Sequence, residues 1–438
     1  MPDLLVSANG HFLETTDGKP FFWLGDTGWL LFTKLIREEA AAYLDDRAKK
    51  GFNVVQVMVL HEIADAVNVY GDSALVNGDI TNPLETKGSD FEDPAAYDFW
   101  DHVDYVIRLA EQRGIYVALV PLWGSNIKER NIQVTQAKSY GAWIAHRLGA
   151  HSNIIWLNGG DIVGADAPEI WNALGNAIRE NDPRHLISFH PRGRTQSSQW
   201  FHEQPWLDFN MIQSGHRRYD QDDSPLGYGE DNWRYVQSDY QRTPPKPTID
   251  GEPSYEGIPQ GLHDTTQPYW TDADVRRYAY WSVFAGACGF TYGHNAVMQF
   301  YRAGDKPAFG ARVYWQEALE APGSRQMKWL RQLMLSHSYS NRVPEQDILL
   351  ENDGTRYDYL LATGGTDYAF VYTYTGQEIQ IRGGKLKGKK ISASWFDPRN
   401  GTDRSIGSFP NRDTLVFQPP GRIQNGNDWV LVLDAIPD

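Results

Sequence analysis

The sequence predicts an α/β fold, a (β/α)8 TIM barrel followed by a small all-β sandwich, on three observations. Short apolar runs alternate with mostly helix-period segments between about residues 20 and 335. The runs are nearly continuous in apolar residues, as in Phe52 to Leu60 (FNVVQVMVL), the pattern of a parallel strand covered on both faces. Beyond the helix Ser324 to Leu335 the period drops to two, with Gly and Pro turns between short runs.

The elements follow in order. Ser7 to Lys19 reads as a hairpin with turns at Asn9-Gly10 and Asp17-Gly18, and Phe21 to Asp26 as the first barrel strand. Arg37 to Lys50 is a helix with Ala41, Leu44 and Ala48 on one face. Phe52 to Leu60 is strand two. The Asn-, Gly- and Asp-rich stretch from His61 to Pro94 is expected to fold over its C-terminal end. Tyr97 to Gln112 and Gln133 to Leu148 are helices flanking strand three, Ile115 to Leu122. Asn153 to Leu157 is strand four, and Pro168 to Glu180 is a helix with Pro near its start. His185 to Phe189, Asp208 to Ile212, Lys246 to Ile249 and Gly289 to Tyr292 supply strands five to eight, with a helix at Ala273 to Ala285. A doubly wound sheet alternates in the same way, but no glycine-rich phosphate loop follows the first strand. Short strands then run at Tyr357 to Ala362, Asp367 to Tyr374, Glu378 to Ile381, Lys390 to Phe396, Thr414 to Gln418 and Trp429 to Leu433. We therefore expect a barrel with its hairpin over residues 1–340 and a sandwich over 341–438. With no Pro-, Gly- or Ser-rich linker between them, the two should pack together.

Composition narrows the function. A formal charge of −15 argues against nucleic acid, whose phosphates are bound by clustered Lys and Arg. With 16 Trp and 23 Tyr the chain has aromatic surface to spare for stacking on sugar rings, although most of it belongs in the core. The single cysteine, Cys288, excludes an internal disulfide and reads as a buried thiol. No stretch is long and apolar enough for a membrane span, and the N-terminus lacks the basic and apolar regions of a signal peptide. The compartment and oligomeric state stay open.

In a barrel the chemistry sits at the C-terminal strand ends. The residues there are Asp26, His61, Trp123, Asn158 and Asp161, His190 and Arg192, Gln213 and His216, Glu252 and Glu256, and His294 and Asn295. No HxH or HExxH spacing and no G-x-S-x-G is present, so neither a metal centre nor a serine hydrolase is expected, and no cofactor. Two carboxyls on opposite strand ends fit glycoside hydrolysis, in which one protonates the leaving oxygen while the other attacks the anomeric carbon. Asn158-Gly159-Gly160-Asp161, closing strand four, supplies the general acid/base; a turn whose Asp caps the next segment is the bland reading. The strand-seven stretch Asp250-Gly251-Glu252-Pro253-Ser254-Tyr255-Glu256 offers three acids, with Glu252 ranked ahead of Glu256 and Asp250 as nucleophile. The alternatives are a non-catalytic carbohydrate-binding barrel and a related glycosidase with a different sugar specificity.

The motifs also resemble a known family. Asn9-Gly10-His11-Phe12, Pro20-Phe21-Phe22-Trp23-Leu24-Gly25-Asp26-Thr27-Gly28-Trp29, Gly51-Phe52-Asn53-Val54-Val55-Gln56, Trp156 to Asp161, Asp250 to Glu256 and Tyr292-Gly293-His294-Asn295 are similar to the apiosidase-like glycoside hydrolases (glycoside hydrolase family 140). Trp395-Phe396-Asp397-Pro398-Arg399-Asn400-Gly401 is similar to the β-sandwich that accompanies that barrel, often labelled collagen-binding. The resemblance implies a retaining barrel with an Asp acid/base on strand four and a Glu nucleophile on strand seven, acting on apiose linked to galacturonic-acid chains of pectin. By role, Asp26 and His61 would bind glycone hydroxyls, Trp123 would stack on a sugar, and Asn158 would hold the hydroxyl beside the reacting carbon. His190, Gln213, His216, His294 and Asn295 would position the nucleophile or leaving group, each lone histidine reading also as a structural residue.

Overall fold

The structure, a computed structural model, describes residues 1–350 and 354–437; residues 351–353 and 438, inside the expected sandwich, lie outside the described residues. Eight parallel strands form the barrel: Trp23–Thr27, Val54–Met58, Tyr116–Val120, Ile154–Ile162, Ile187–Pro191, Asn210–Gln213, Thr248–Asp250 and Gly289–Tyr292. The sheet runs in the order five, four, three, two, one, eight, seven, six. Strands five and six complete the circuit, with the Asp208 N–H donating to the Ile187 carbonyl at 2.8 Å and the Ser188 hydroxyl to the Phe209 carbonyl at 2.7 Å.

The apolar runs are explained by two packed shells. Val54, Met58, Ala118, Val120, Ile155 and Leu157 join the inner cluster, while their neighbours Val55, Val57, Val117, Leu119, Ile154 and Trp156 pack outward under the helices. Every second residue is thus apolar on each face. The outer helices bring Leu44, Val103, Ile107, Ile144 and Leu174 to that layer. Asp98 starts the helix Phe99–Glu111 by accepting the Trp100 and Asp101 N–H groups at 2.8 and 3.0 Å. The stretch after strand two folds back over the barrel through two short 3-10 turns, held by Trp100 Nε1 donating to the Ala74 carbonyl at 3.0 Å.

Four expectations change. The N-terminal hairpin is a three-stranded antiparallel sheet, Leu4–Val6, Leu13–Thr15 and Pro20–Phe21. Strand four does not stop at Leu157 but runs through both glycines to Ile162. A helix, Asn232–Tyr240, fills the crossover before strand seven. Arg356–Asp358 is a 3-10 turn, so the strand expected from Tyr357 begins at Leu361.

The C-terminal unit is a six-stranded antiparallel sheet covered by the pair Ile379–Arg382 and Thr414–Phe417. Its period-two pattern faces two cores. On strand Tyr368–Thr373, Tyr368, Phe370 and Tyr372 pack into the barrel's inner cluster, whereas Ala369 and Val371 pack into the sandwich's own core. Tyr372 stacks on Tyr280 with centroids 4.9 Å apart, and Arg276 pairs with Asp428 through 2.8 and 2.9 Å contacts, both side chains buried. The two units are thus packed along a shared core. No described helix is long and apolar enough to cross a membrane.

Candidate active site

A cavity of about 270 Å³ opens at the C-terminal face of the barrel. Asp161, Glu252, His61, Trp123 and His216 line it, with Trp29, Tyr255, Met58, Met298, Gln299 and Phe309 among its other walls. Strand four sets the acid. Strand four pairs with strand five up to Gly159 opposite His190, and pairing resumes at Ile162 opposite Pro191, so Gly160 and Asp161 bulge out of the ladder. The backbone there is left-handed at three residues running, with φ of 90°, 105° and 47° at Gly159, Gly160 and Asp161. Glycine suits the first two because such φ values strain any residue with a Cβ. A Cβ on Gly160 would also lie 2.5 Å from Trp123 Cε3, and one on Gly159 would lie 2.6 Å from the His190 carbonyl. The bulge therefore tucks under Trp123 and turns the Asp161 side chain toward the cavity.

The second acid is built differently. Gly251 follows strand seven, its carbonyl accepting Gln56 Nε2 at 2.9 Å inside the barrel, and delivers Glu252 to the same cavity. Glu252 is buried between two imidazoles, His190 Nε2 at 3.1 Å from Oε2 and His216 Nε2 at 3.1 Å from Oε1. The Asp161 N–H donates to His190 Nδ1 at 3.4 Å, which leaves the other ring nitrogen, Nε2, to carry the proton toward Glu252. One imidazole therefore touches the backbone of one acid and the carboxylate of the other.

The two acids titrate apart. Although the Asp161 side chain is open to the cavity, crowding by protein strips it of bulk water, and the negative Glu252 adds to this, so its carboxyl is pushed up to about 6. Burial acts the same way on Glu252 but is outweighed by the His190 and His216 contacts, which hold it down to about 2. Over the interval between those values one carboxyl holds a proton and the other is ionised, the pairing that acid/base and nucleophile need.

The remaining expected site residues divide. His61 and Trp123 stand on the cavity wall, their rings 6.4 Å apart, and His216 and His190 flank Glu252. Asp26 does not reach the cavity: it is fully buried, accepts the Tyr43 hydroxyl at 2.7 Å and lies 3.4 Å from Arg47. Asn158 faces outward, its Nδ2 donating to the Trp171 carbonyl at 2.8 Å. Gln213 is buried off the cavity wall. His294 caps the short helix Asn295–Met298 by accepting the Ala296 N–H at 3.1 Å. Asn295 ties loops together through the Gly257 and Phe309 carbonyls, both at 2.8 Å. The rival acids are likewise occupied. Glu256 accepts the Tyr292 hydroxyl at 2.7 Å and the Gly323 N–H at 3.0 Å, with burial pushing it up to about 7. Asp250 accepts from Ser214 at 2.6 Å and Asn232 at 2.9 Å and is fully buried.

Trp29, Tyr255 and Phe309 are cavity residues that strand-end reading passed over. Trp29 and Tyr255 lie inside the quoted motifs, whereas Phe309 sits in the short 3-10 turn Ala308–Gly310, which has no periodic signal. Among the described residues no group of three or more His, Cys, Asp or Glu side chains is placed to hold a metal ion.

The profile of the apiosidase-like catalytic domain matches residues 7–341, and a second, described as "Putative collagen-binding domain of a collagenase", matches residues 343–434. A solved glycoside hydrolase is 44% identical over 99% of this chain and 97% of its own, with a TM-score of 0.92. A solved glycoside hydrolase family 5 protein from Bacteroides vulgatus is 44% identical over 99% of this chain and 94% of its own, with a TM-score of 0.93. An endo-beta-1,4-mannanase from Thermotoga petrophila, 14% identical over 96% of this chain and 94% of that one, shares the fold at a TM-score of 0.52. The comparison with curated proteins finds no match.

Proposed function

Since the chain belongs to the apiosidase-like glycoside hydrolases, we propose that it cleaves its glycoside with retention, Asp161 serving as general acid/base and Glu252 as nucleophile. The observation that carries this reading is the opposite electrostatic setting of two carboxyls on one cavity. Protonated Asp161 gives its proton to the glycosidic oxygen as the Glu252 carboxylate attacks the anomeric carbon. The leaving group departs as an alcohol, and a glycosyl ester on Glu252 remains. Asp161, now a carboxylate, takes a proton from water, whose oxygen attacks the same carbon and frees Glu252. His190 and His216 keep Glu252 ionised before attack and as it leaves.

The mostly apolar wall of Trp29, Trp123, Met58, Ile258 and Phe309 suits the faces of a sugar ring. The substrate we propose is an apioside of a pectic glycan, following the family to which the chain belongs. We also propose that the catalytic unit comprises residues 1–340 and the sandwich 341–438. Incubating the protein with defined pectic oligosaccharides and identifying the released sugar tests the substrate. Trapping with a slowly turned-over 2-deoxy-2-fluoro glycoside, followed by peptide mapping, tests the mechanism. A label on Glu252 is expected; a label on Glu256, or an inverted product, overturns the assignment.

A further inference from the structure

The loop after strand six carries His216, whose imidazole meets Glu252, near its start and ends at Glu230 and Asp231 before the helix Asn232–Tyr240. It is closed on itself. The Tyr219 hydroxyl donates to Asp231 at 2.5 Å, and Asp222 accepts the Ser224 and Gly229 N–H groups at 2.9 and 2.7 Å. It is also bound to the loop after strand seven, through the Gly261 N–H to the His216 carbonyl at 2.9 Å and Arg218 Nη1 to Gln267 at 2.7 Å.

Its outer side rests on the sandwich. The Tyr357 hydroxyl donates to Glu230 Oε1 at 2.8 Å, and the Tyr357 ring meets Tyr219 edge-on at 5.6 Å. The Arg356 guanidinium covers the Tyr219 ring at 4.9 Å. Trp233 stacks on Tyr359 at 4.1 Å, with their planes 6° apart. The other oxygen of Glu230 takes Arg277 Nη2 at 2.6 Å, both side chains fully buried, so the hydroxyl of Tyr357 completes a buried charged pair. These contacts form a cluster at one end of the loop that carries the nucleophile's imidazole.

We propose that the sandwich is a working part of the active site, with Arg356 and Tyr357 acting as positioning residues that brace the strand-six loop and so hold His216 against Glu252. This rests on the reading of Glu252 as nucleophile. A hydrogen bond to a buried charge stabilises strongly only while its donor is held in place, so loosening the loop weakens the His216 contact before it unfolds anything. The groups facing Glu252 are His190, His216, Asp161, Asp250 and Tyr255, and of these only His216 lies on the braced loop.

The test compares Tyr357→Phe and Arg356→Ala, alone and together, with Tyr372→Phe, which removes a hydroxyl bonded to Asp428 at 3.3 Å elsewhere on the same interface. In full-length protein, kcat, the acid limb of kcat/KM and the ring 15N resonances of His216 are measured. The loop variants are expected to lose about three- to tenfold in kcat. Their acid limb should move up and their His216 resonances shift, with melting temperatures close to that of Tyr372→Phe. Loop variants that match Tyr372→Phe in all three readouts overturn the proposal. The ring signal needs no turnover, so the two readings fail separately: if it shifts in the loop variants while Glu252→Gln keeps its activity, the brace stands and the nucleophile assignment falls.

Discussion

Strand four and strand seven each end in an acid on the same cavity, yet they are constructed in opposite ways. Asp161 rides a two-residue bulge with left-handed backbone, open to the cavity and raised by burial and by its neighbour's charge. Glu252 is on a buried turn with an imidazole on each oxygen and is held far below the usual carboxylate range. The difference teaches that two carboxyls on one cavity are set apart here by their surroundings rather than by residue type. A proton donor needs a poor home for its negative charge, and a nucleophile needs a good one.

The comparison breaks most sharply where the good home is emptied. Glu252→Gln is expected to lower kcat by about 10⁴-fold or more, measured on an activated aryl glycoside. Asp161→Asn is expected to cost about 10²- to 10⁴-fold, less when the leaving group needs no protonation. Azide should rescue a Glu252→Gly variant with an inverted glycosyl azide and an Asp161→Ala variant with a retained one; the reverse pairing would exchange the two roles.

Gly160→Ala attacks the bulge itself. A Cβ at φ 105° that meets Trp123 at 2.5 Å must displace the backbone that aims Asp161. We expect about 1–3 kcal/mol less stability by denaturant unfolding. We also expect about 10²-fold lower kcat, because small misplacements of a reacting group are costly. Near wild-type turnover would show that the bulge does not set the acid's reach.

The electrostatics can be read by titration. Under the proposed roles Glu252 acts without its proton and Asp161 with one, so kcat/KM should rise through an acid limb near 2 and fall through an alkaline limb near 6. In Glu252→Gln the charge that helps raise Asp161 is gone, so carboxyl 13C NMR should find Asp161 titrating below about 6. An unchanged midpoint would mean that burial alone raises it. The smallest effect is expected at Glu256→Gln, whose amide can still serve Tyr292 and Gly323: kcat should stay within about tenfold of wild type, as for a support residue outside the chemistry.

Much of this was legible in the residues, and the failures have physical causes. The barrel strands stood out because covering on both faces makes them apolar throughout. Helix Asn232–Tyr240 did not, since NWRYVQSDY offers few apolar positions and buries Asn232 and Asp239 along with Tyr235 and Val236. Strand Thr402–Pro410 escaped because it lies at the sheet edge, largely exposed on both faces, and shows no alternation. In the site, proximity to a strand end was legible but direction was not. Leu157 packs in the inner shell, so Asn158 next to it turns to the helices, and only the bulge returns Asp161 to the cavity. Asp26 was misplaced because Tyr43 and Arg47, on the next helix, already claim its carboxyl.

The sandwich sheet also sets a timetable for synthesis. Its strands lie in an order that places Trp429–Ile436, the last described strand to leave a ribosome, in the middle, between Tyr368–Thr373 and Lys390–Asp397. Until that strand emerges, its neighbours have no partner to join them. Tyr280 and Phe284 on the finished barrel meanwhile wait for Tyr372 and Phe370 to cover them. The sheet that covers Tyr280 and Phe284 is therefore completed only once Trp429–Ile436 has been made.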